Sequence, residues 1–225
     1  MAIDTKEHIL NAAERLIAEH GIDAVSLRSI TSTAKVNLAA VHYHFGSKEA
    51  LVRKVYERRV QPVNNQRLDM LNAVEAAAGD EPPAIEDVLR ALIEPAIRLY
   101  SDAEKRPLFM RMCGRIYAEP AGYIQEIFDD LFGPMIRRFK AAFERALPDA
   151  DPRDRAWAVQ FSAGAMVHTM MESERLKRFS GGLCDLADPE PVIERMVQFC
   201  AGGIRAATQA NSSAERAVVL SLEGD

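Results

Sequence analysis

The chain has 225 residues, of which 48% are hydrophobic and 27% are charged. These proportions are ordinary for a globular protein and allow one large domain or two smaller ones. No apolar run is long enough to cross a bilayer, and the first residues lack the pattern of a secretory signal. The three cysteines form no C-x-x-C pair, which argues against a zinc or redox site, so we expect a cytoplasmic protein.

Charge is distributed unevenly along the chain, although the net charge is only −5. Residues 24–60 contain seven Lys or Arg and two Asp or Glu, which gives this segment a balance of +5. A basic segment on an acidic protein attracts phosphate locally. On charge alone, a DNA-contacting segment and a chance asymmetry of the solvated surface remain equally open.

Three short helices are predicted at the N-terminus, each bounded by capping residues. The first begins after Asp4, with an acidic residue three positions on as in a capping box, and it ends before Gly21. Ser26 and Asn37 are the predicted N-caps of the second and third helices, and Gly46 ends the third. Helices this short are not stable alone, so they must share one core, which is predicted to contain Ile9, Leu16, Ile17, Leu27, Ile30, Val36, Val41, Phe45 and Leu51.

The remaining chain is also predicted to be helical, because apolar residues recur at spacings of three and four. A fourth, long helix begins after Ser47 and continues beyond Val60, with Pro62 expected to bend it. After a loop at residues 76–84, proline-containing breaks separate helices at 85–103, 105–118, 121–147, 152–179 and 189–209. Residues 211–225 are polar and are predicted to be a frayed tail. The predicted fold class is all-α, with about nine helices.

Residues 26–52 have the layout of a helix-turn-helix, whose second helix enters the major groove of DNA. The stretch closely resembles the DNA-binding domain of the tetracycline-repressor (TetR) family, and the run VHYHFGSKEAL at 41–51 carries the resemblance. The alternative is a helical hairpin that only packs, which has no reason to match over so many positions. We therefore expect a three-helix DNA-binding domain at residues 1–52.

The third helix is the predicted reading helix. If Val41 and Phe45 face inward, then Ala39, Ala40 and His42 lie on the outward arc. The two alanines are small enough to let the helix sit deep in the groove and to contact thymine methyl groups. The imidazole of His42 can donate or accept a hydrogen bond at a base edge.

Phosphate contacts are predicted on both sides of the reading helix. The resemblance implies that Tyr43, His44 and Lys48 contact the sugar-phosphate backbone, and all three side chains can donate to phosphate oxygen. Free N–H groups near Ser26 and Ser47, at the starts of two helices, can add anion contacts. The predicted DNA-binding residues are Ser26, Arg28, Asn37, Ala39, Ala40, His42, Tyr43, His44 and Lys48.

The helices between residues 85 and 179 carry a candidate effector pocket, because Met and aromatic residues cluster there. Such residues are also ordinary core, and polar groups such as Arg111, Arg115 and His168 are also ordinary solvated side chains. Residues 111–149 resemble the regulatory domain of PsrA-like TetR regulators, which are associated with fatty-acid metabolism. The few polar groups predict an apolar, acyl-like effector, bound by Met110, Arg111, Arg115, Tyr117, Phe128, Phe132, Met135, Trp157, Phe161 and His168.

The predicted helices at 152–179 and 189–209 have the character of an association surface. Residues 155–171 are apolar almost all round, which is unusual for a lone surface helix. Glycines in mid-helix carry a stability cost that close contact with another helix would offset. The alternative is that both helices complete a monomer core. The predicted dimer residues are Ala163, Val167, Met171, Val197, Cys200 and Ile204.

No metal, cofactor or catalytic constellation is predicted, because the sequence lacks H-E-x-x-H, G-x-S-x-G and phosphate-loop patterns. We therefore expect a regulator rather than an enzyme, with a ligand-binding and dimerisation domain at residues 53–210. It would bind a palindromic operator in double-stranded DNA as a homodimer, have no membrane partner, and act as a ligand-released repressor. An activator on the same fold, or a lipid-binding protein or enzyme with a vestigial DNA-binding domain, are the alternatives.

Overall fold

The computed structural model describes residues 4–101 and 122–222. Within these ranges the chain is all helical, as predicted, and contains nine helices. The predicted helix at 105–118, with its ligand candidates Met110, Arg111, Arg115 and Tyr117, lies outside the described residues. The helices are α1 (Thr5–His20), α2 (Leu27–Ala34), α3 (Leu38–Phe45), α4 (Lys48–Ala78), α5 (Ile85–Ser101), α6 (Gly122–Ala146), α7 (Pro152–Met171), α8 (Ser173–Phe179) and α9 (Pro189–Leu222).

Two compact units divide the described chain, and the division falls inside α4 after Asn64 and inside α6 after Gly133. The first unit contains α1 to α3 with the start of α4 and the start of α6. The second contains the rest of α4 and α6 with α5, α7, α8 and α9. The division in α4 lies beyond residue 52, because Val55, Tyr56 and Val60 still pack into the core of the first unit. None of the helices in the described ranges is long and apolar enough to cross a membrane.

The first unit has the single shared core that the sequence predicts. Six of the predicted core residues are buried, and the other three are partly buried against them. The buried six are Ile9, Ile17, Ile30, Val41, Phe45 and Leu51, and the partly buried three are Leu16, Leu27 and Val36. Periodicity therefore identified the inward faces of all three short helices.

The predicted caps form. Ser26 and Ser29 make a reciprocal capping box at the start of α2. The Asn37 side chain accepts a hydrogen bond from the Ala40 N–H at 2.8 Å, and Gly46 ends α3 with a φ of 78°, a value that favours glycine. At α1 the Asp4 carboxylate accepts from the Lys6 N–H at 3.1 Å. The reciprocal half of the predicted capping box is absent there.

The second unit packs α9 against α5 and α7, and α5 against α7. Two predicted bounds need correction. The helix predicted at 152–179 is two helices, because the chain turns at Glu172 and the buried Ser173 hydroxyl is hydrogen-bonded to the Tyr100 hydroxyl of α5. In addition, α9 continues to Leu222, so most of the segment predicted as a frayed tail has a helical backbone.

Candidate nucleic-acid interface

The reading helix α3 has one buried face and one open face. Val41 and Phe45 are buried in the core of the first unit, whereas Ala39, His42 and Tyr43 are exposed. Tyr43 is 86% exposed, which is unusual for an aromatic side chain in a folded protein. The predicted position of Ala40 needs correction, because it is half-buried and packs against the core. The outward surface of α3 is therefore narrower than predicted.

His42 is held in one orientation by its own turn. Its Nδ1 lies 2.9 Å from the carbonyl oxygen of Gly46. A carbonyl can only accept, so Nδ1 carries the proton and Nε2 of the neutral ring is left as an acceptor. An outward acceptor matches the amino groups of adenine and cytosine in the major groove.

The three predicted phosphate-contacting side chains have different surroundings. The Tyr43 ring meets the half-buried His44 ring edge-on, with centroids 5.1 Å apart, and His44 also contacts the ring of Phe45 at 6.2 Å. The Lys48 ammonium donates to the carbonyl oxygen of Ile22 at 2.7 Å. Lys48 is therefore anchored to the turn between α1 and α2, and it would have to exchange this bond for a phosphate.

The remaining predicted contacts come from helix starts. The side chains of Ser26 and Asn37 accept bonds from backbone N–H groups of their own helices, so they position α2 and α3. The Ser29 N–H is taken by Ser26, so only the N–H groups of Leu27 and Arg28 remain available to an anion at the start of α2. The Arg28 side chain is exposed and forms no ion pair with any residue that the structure describes.

A buried ionic cluster that sequence reasoning missed joins α1 to α4. The buried Glu14 carboxylate accepts hydrogen bonds from Arg58 and Arg59, and Arg58 also donates to Glu7 at 3.1 Å and to Asn11 at 2.9 Å. Burial lowers the pKa of the Arg58 guanidinium, and the neighbouring Arg59 charge lowers it further. The sequence does contain one indication of this cluster. Glu14 lies within the apolar stripe of α1, where an unpaired charge is costly, so a buried cationic partner is expected.

The predicted ligand residues within the described ranges are divided between the two units. Phe128 and Phe132 stack with centroids 4.7 Å apart, and Phe132 packs against the core of the first unit. Met135 is buried in the second unit. Phe132 and Met135 therefore belong to core packing, which was the alternative interpretation, and Phe128 is half-buried.

Trp157, Phe161 and His168 lie on the surface of the second unit rather than inside it, which corrects their predicted placement. Trp157 and Phe161 stack at 5.1 Å and line an apolar groove of about 410 Å³ between α7 and α9. His168 is exposed and lines another open groove of about 980 Å³, next to Leu183. Both grooves are open to solvent along the same pair of helices.

Arg67 of α4 is a second polar group that sequence reasoning missed. It is 5% exposed, its Nε donates to the carbonyl oxygen of Leu92 at 2.8 Å, and its Nη2 lies 3.5 Å from the sulfur of Met166. No feature of the linear sequence distinguishes this arginine from the solvated ones around it. These two contacts tie the guanidinium to α5 and α7.

Half of the predicted dimer residues need correction. Val197, Cys200 and Ile204 are buried, because the inner face of α9 packs against α5 and α7 of the same chain. Ala163 and Val167 are half-buried, and Met171 is exposed. The outer face of α9 carries Phe199, which is 76% exposed.

Three mid-helix glycines lie beside these exposed aromatic residues. A Cβ atom built on Gly164, Gly202 or Gly203 would meet none of the described residues within 4 Å. Packing within residues 4–101 and 122–222 therefore does not require glycine at these positions, although each costs helix stability relative to alanine. We call the exposed surface formed by Trp157, Phe161, Gly164, Phe199, Gly202 and Gly203 the α7–α9 face.

Two family models match the chain. The model described as bacterial regulatory proteins of the tetR family matches residues 9–55. The model described as the tetracyclin repressor-like C-terminal domain matches residues 90–203, which is about half of the chain. Neither description specifies the PsrA-like subgroup, which stays a prediction.

Among curated proteins, the chain is similar to the nicotine-responsive transcriptional repressor HdnoR of Paenarthrobacter nicotinovorans. The identity is 41% over 51 residues, which cover 23% of this chain and 26% of that protein. Over the first three curated relatives that it matches, the chain spans 26% to 55% of their length. The strongest identity therefore lies in a short segment.

Solved structures extend the likeness over most of the chain. The fatty acid degradation regulator FadR of Bacillus halodurans superposes with a TM-score of 0.61 at 16% identity, covering 88% of this chain and 98% of that one. A complex of SmeT with triclosan superposes with a TM-score of 0.58 at 23% identity, covering 86% and 90%. At such identities the likeness shows the fold alone. The two matched domains and this shared fold show that the chain belongs to the TetR family of bacterial transcriptional regulators.

Proposed function

We propose that this protein is a homodimeric, ligand-responsive repressor that binds a palindromic operator through α3. The observation that carries the proposal is the outward face of α3, where Ala39, His42 and the 86% exposed Tyr43 lie opposite the buried Val41 and Phe45. A helix that only packed would not hold an aromatic ring in solvent beside an oriented imidazole. Held on a rigid three-helix core, these groups can enter a major groove.

Phosphate contacts would fix the register of α3 on the duplex. Tyr43, His44 and Lys48 lie at its C-terminal side, and the free N–H groups of α2 lie near Arg28. Lys48 would leave the Ile22 carbonyl for a phosphate oxygen, so part of its binding energy is offset by the bond that it loses. Its contribution to affinity is therefore smaller than that of a free lysine.

The α7–α9 face is the proposed dimer surface, and its proposed occupant is a second copy of this chain. Its exposed aromatic side chains and its open glycines suit the close approach of two helices, as in a two-fold four-helix interface. A two-fold dimer presents two reading helices to the two halves of a palindrome. Of the residues predicted from sequence, Met171 lies exposed on α7, and Ala163 and Val167 contribute their exposed parts.

The proposed effector is apolar and acyl-like, and it binds the second unit. HdnoR is nicotine-responsive and SmeT forms a complex with triclosan, and both compounds are largely apolar, whereas another similar regulator forms a complex with choline, which is a cation. The helix α4 belongs to both units. A ligand that stabilises a conformation of α4 unsuited to DNA would therefore weaken DNA binding, and bound DNA would weaken ligand binding by the same factor.

The DNA-binding part of the proposal is tested by selection from a random duplex library. We expect the wild-type protein to enrich a palindrome. The His42→Ala variant should lose preference at one position of each half-site, where discrimination falls by about 1–3 kcal/mol, because Nε2 no longer accepts from a base amino group. The matched control is His20→Ala, an exposed histidine at the end of α1, which should enrich the unchanged motif. An unchanged motif for His42→Ala would remove His42 as a reader.

The effector part is tested by a ligand panel scored by thermal shift and by release of the selected operator. Fatty acids and acyl-CoA thioesters are compared with sugars, amino acids and nucleotides, and we expect only the acyl compounds to act. Fatty alcohols of matched length show whether the head group matters, and a detergent of matched length controls for micelles. Release by a polar metabolite, with no response to any acyl compound, would mean that the apolar side chains are only core packing.

A further inference from the structure

Lys35 is held in an unusual backbone conformation in the turn between α2 and α3. Its φ of 55° and ψ of 44° lie in the left-handed region, and it is the only non-glycine residue with positive φ among those that the structure describes. An L-residue with a long side chain is disfavoured there, whereas glycine is not. The backbone N–H of Lys35 ends α2 by donating toward the carbonyl oxygens of Thr31 and Ser32, and glycine would end the helix equally well. The turn itself therefore gives no reason for lysine.

The side chain of Lys35 lies in a basic depression of the first unit. A surface cavity of about 250 Å³ is lined by Lys35 together with His8, Asn11 and Arg15 of α1, and by the end of α2. No acidic residue is among the lining residues. Within the described part of the chain, neither Lys35 nor Arg15 takes part in an ion pair. The depression therefore concentrates positive charge that no part of the described chain neutralises.

The position of Lys35 in the helix-turn-helix connects this charge to DNA. It lies two residues before Asn37, the N-cap of α3. In such motifs the N-terminal residues of the reading helix contact base edges, so the residues just before it lie near the strand that borders the groove. An ammonium group on a flexible four-carbon stem is well suited to reach a phosphate there.

We propose that Lys35, with Arg15 beside it, binds a phosphodiester of DNA that flanks the bases contacted by α3. The inference rests on the proposed function, and it adds a contact in the turn between α2 and α3. The phosphate contact then explains why a strained lysine occupies a position where glycine would serve the turn equally well. The contact has no base partner, so it raises affinity at every sequence alike.

Lys35→Gly separates this role from a structural one, because the thermal stability should rise while the affinity for DNA falls. Removing the strained side chain should raise the thermal midpoint by about 2 °C. The same variant should bind the selected operator about 3-fold to 10-fold more weakly at 0.1 M salt. The slope of log K against log salt should become shallower by about 0.9 for each subunit's lost contact, with an unchanged sequence preference.

Two further variants complete the test. Lys35→Arg keeps the charge and should keep wild-type affinity and slope, whereas Lys35→Met keeps the stem and the strain but should match Lys35→Gly in DNA binding. Wild-type affinity and slope in both Lys35→Gly and Lys35→Met would overturn the inference. A changed base preference at one position would also overturn it, since the contact would then be to a base. Failure of the wild-type protein to bind any duplex would instead refute the proposed function, so the two failures are distinguishable.

Discussion

Glu14→Ala is expected to destabilise the first unit by about 3–5 kcal/mol, because it leaves two guanidinium groups partly buried without their shared carboxylate. Arg58 and Arg59 both bond to Glu14 in the buried cluster, and their side chains are only 24% and 31% exposed. Without Glu14 the two cations would face each other, and only Glu7 and Asn11 would remain as partners of Arg58. Glu14→Gln keeps an uncharged acceptor, so its loss of stability should be intermediate.

Urea unfolding followed by circular dichroism measures this loss, and hydrogen exchange of α1 and α4 peptides locates it in the first unit. Glu57→Ala is the matched control, because Glu57 is also a glutamate, lies on α4 and forms an ion pair with Lys54 that is exposed at both ends. That pair should contribute less than about 1 kcal/mol. If the two substitutions had equal effects, the Glu14 cluster would be no more important than a surface ion pair.

Phe199→Glu is expected to convert the protein to a monomer and to reduce operator affinity by about 100-fold or more, because one subunit alone loses the linked second half-site. The proposed interface would have to bury an unpaired carboxylate in each subunit, which is strongly unfavourable. The folded monomer should survive, since Phe199 is exposed on a single chain and leaves the core unchanged. Light scattering reports the mass, and operator titration reports the affinity.

Phe179→Glu is the matched control for this substitution, because Phe179 is 80% exposed but lies on α8 and does not line the groove between α7 and α9. It should remain dimeric. Gly203→Ala is a second test of the same interface, in which helix stability should rise while dimerisation weakens. The added methyl group meets no described residue within 4 Å and should favour the helix by about 0.5–1 kcal/mol, while it weakens close helix association. A dimeric Phe199→Glu protein with normal operator affinity would rule out this interface.

The short-range features of the first unit were predictable from sequence because they depend on neighbouring residues. Ser26, Asn37 and Gly46 act within one turn of their own position, and a period near 3.6 identifies the buried faces of α1 to α3. The outward placement of His42 and Tyr43 follows from the burial of Val41 and Phe45. Ala40 was misplaced because it lies at the edge of the buried arc, where neighbouring helices decide the exposure.

The remaining site features depend on contacts between distant residues. Arg58 and Glu14 are 44 positions apart, and Lys48 and the Ile22 carbonyl are 26 apart, so no local pattern predicts either bond. Periodicity correctly identified an apolar face containing Val197 and Ile204, but it does not say which chain covers that face. The structure shows that the same chain covers it, and that the exposed aromatic residues lie on other faces of α7 and α9.

The position of Trp157 gives the unmodified protein its own spectroscopic reporter. It is the only tryptophan in the sequence, it is 56% exposed, and it stacks on Phe161 within the α7–α9 face. Indole emission moves to shorter wavelength when the ring leaves water. Dissociation of the proposed dimer on dilution should therefore be visible in the emission of the wild-type protein without any dye, and events confined to the first unit should leave this signal unchanged.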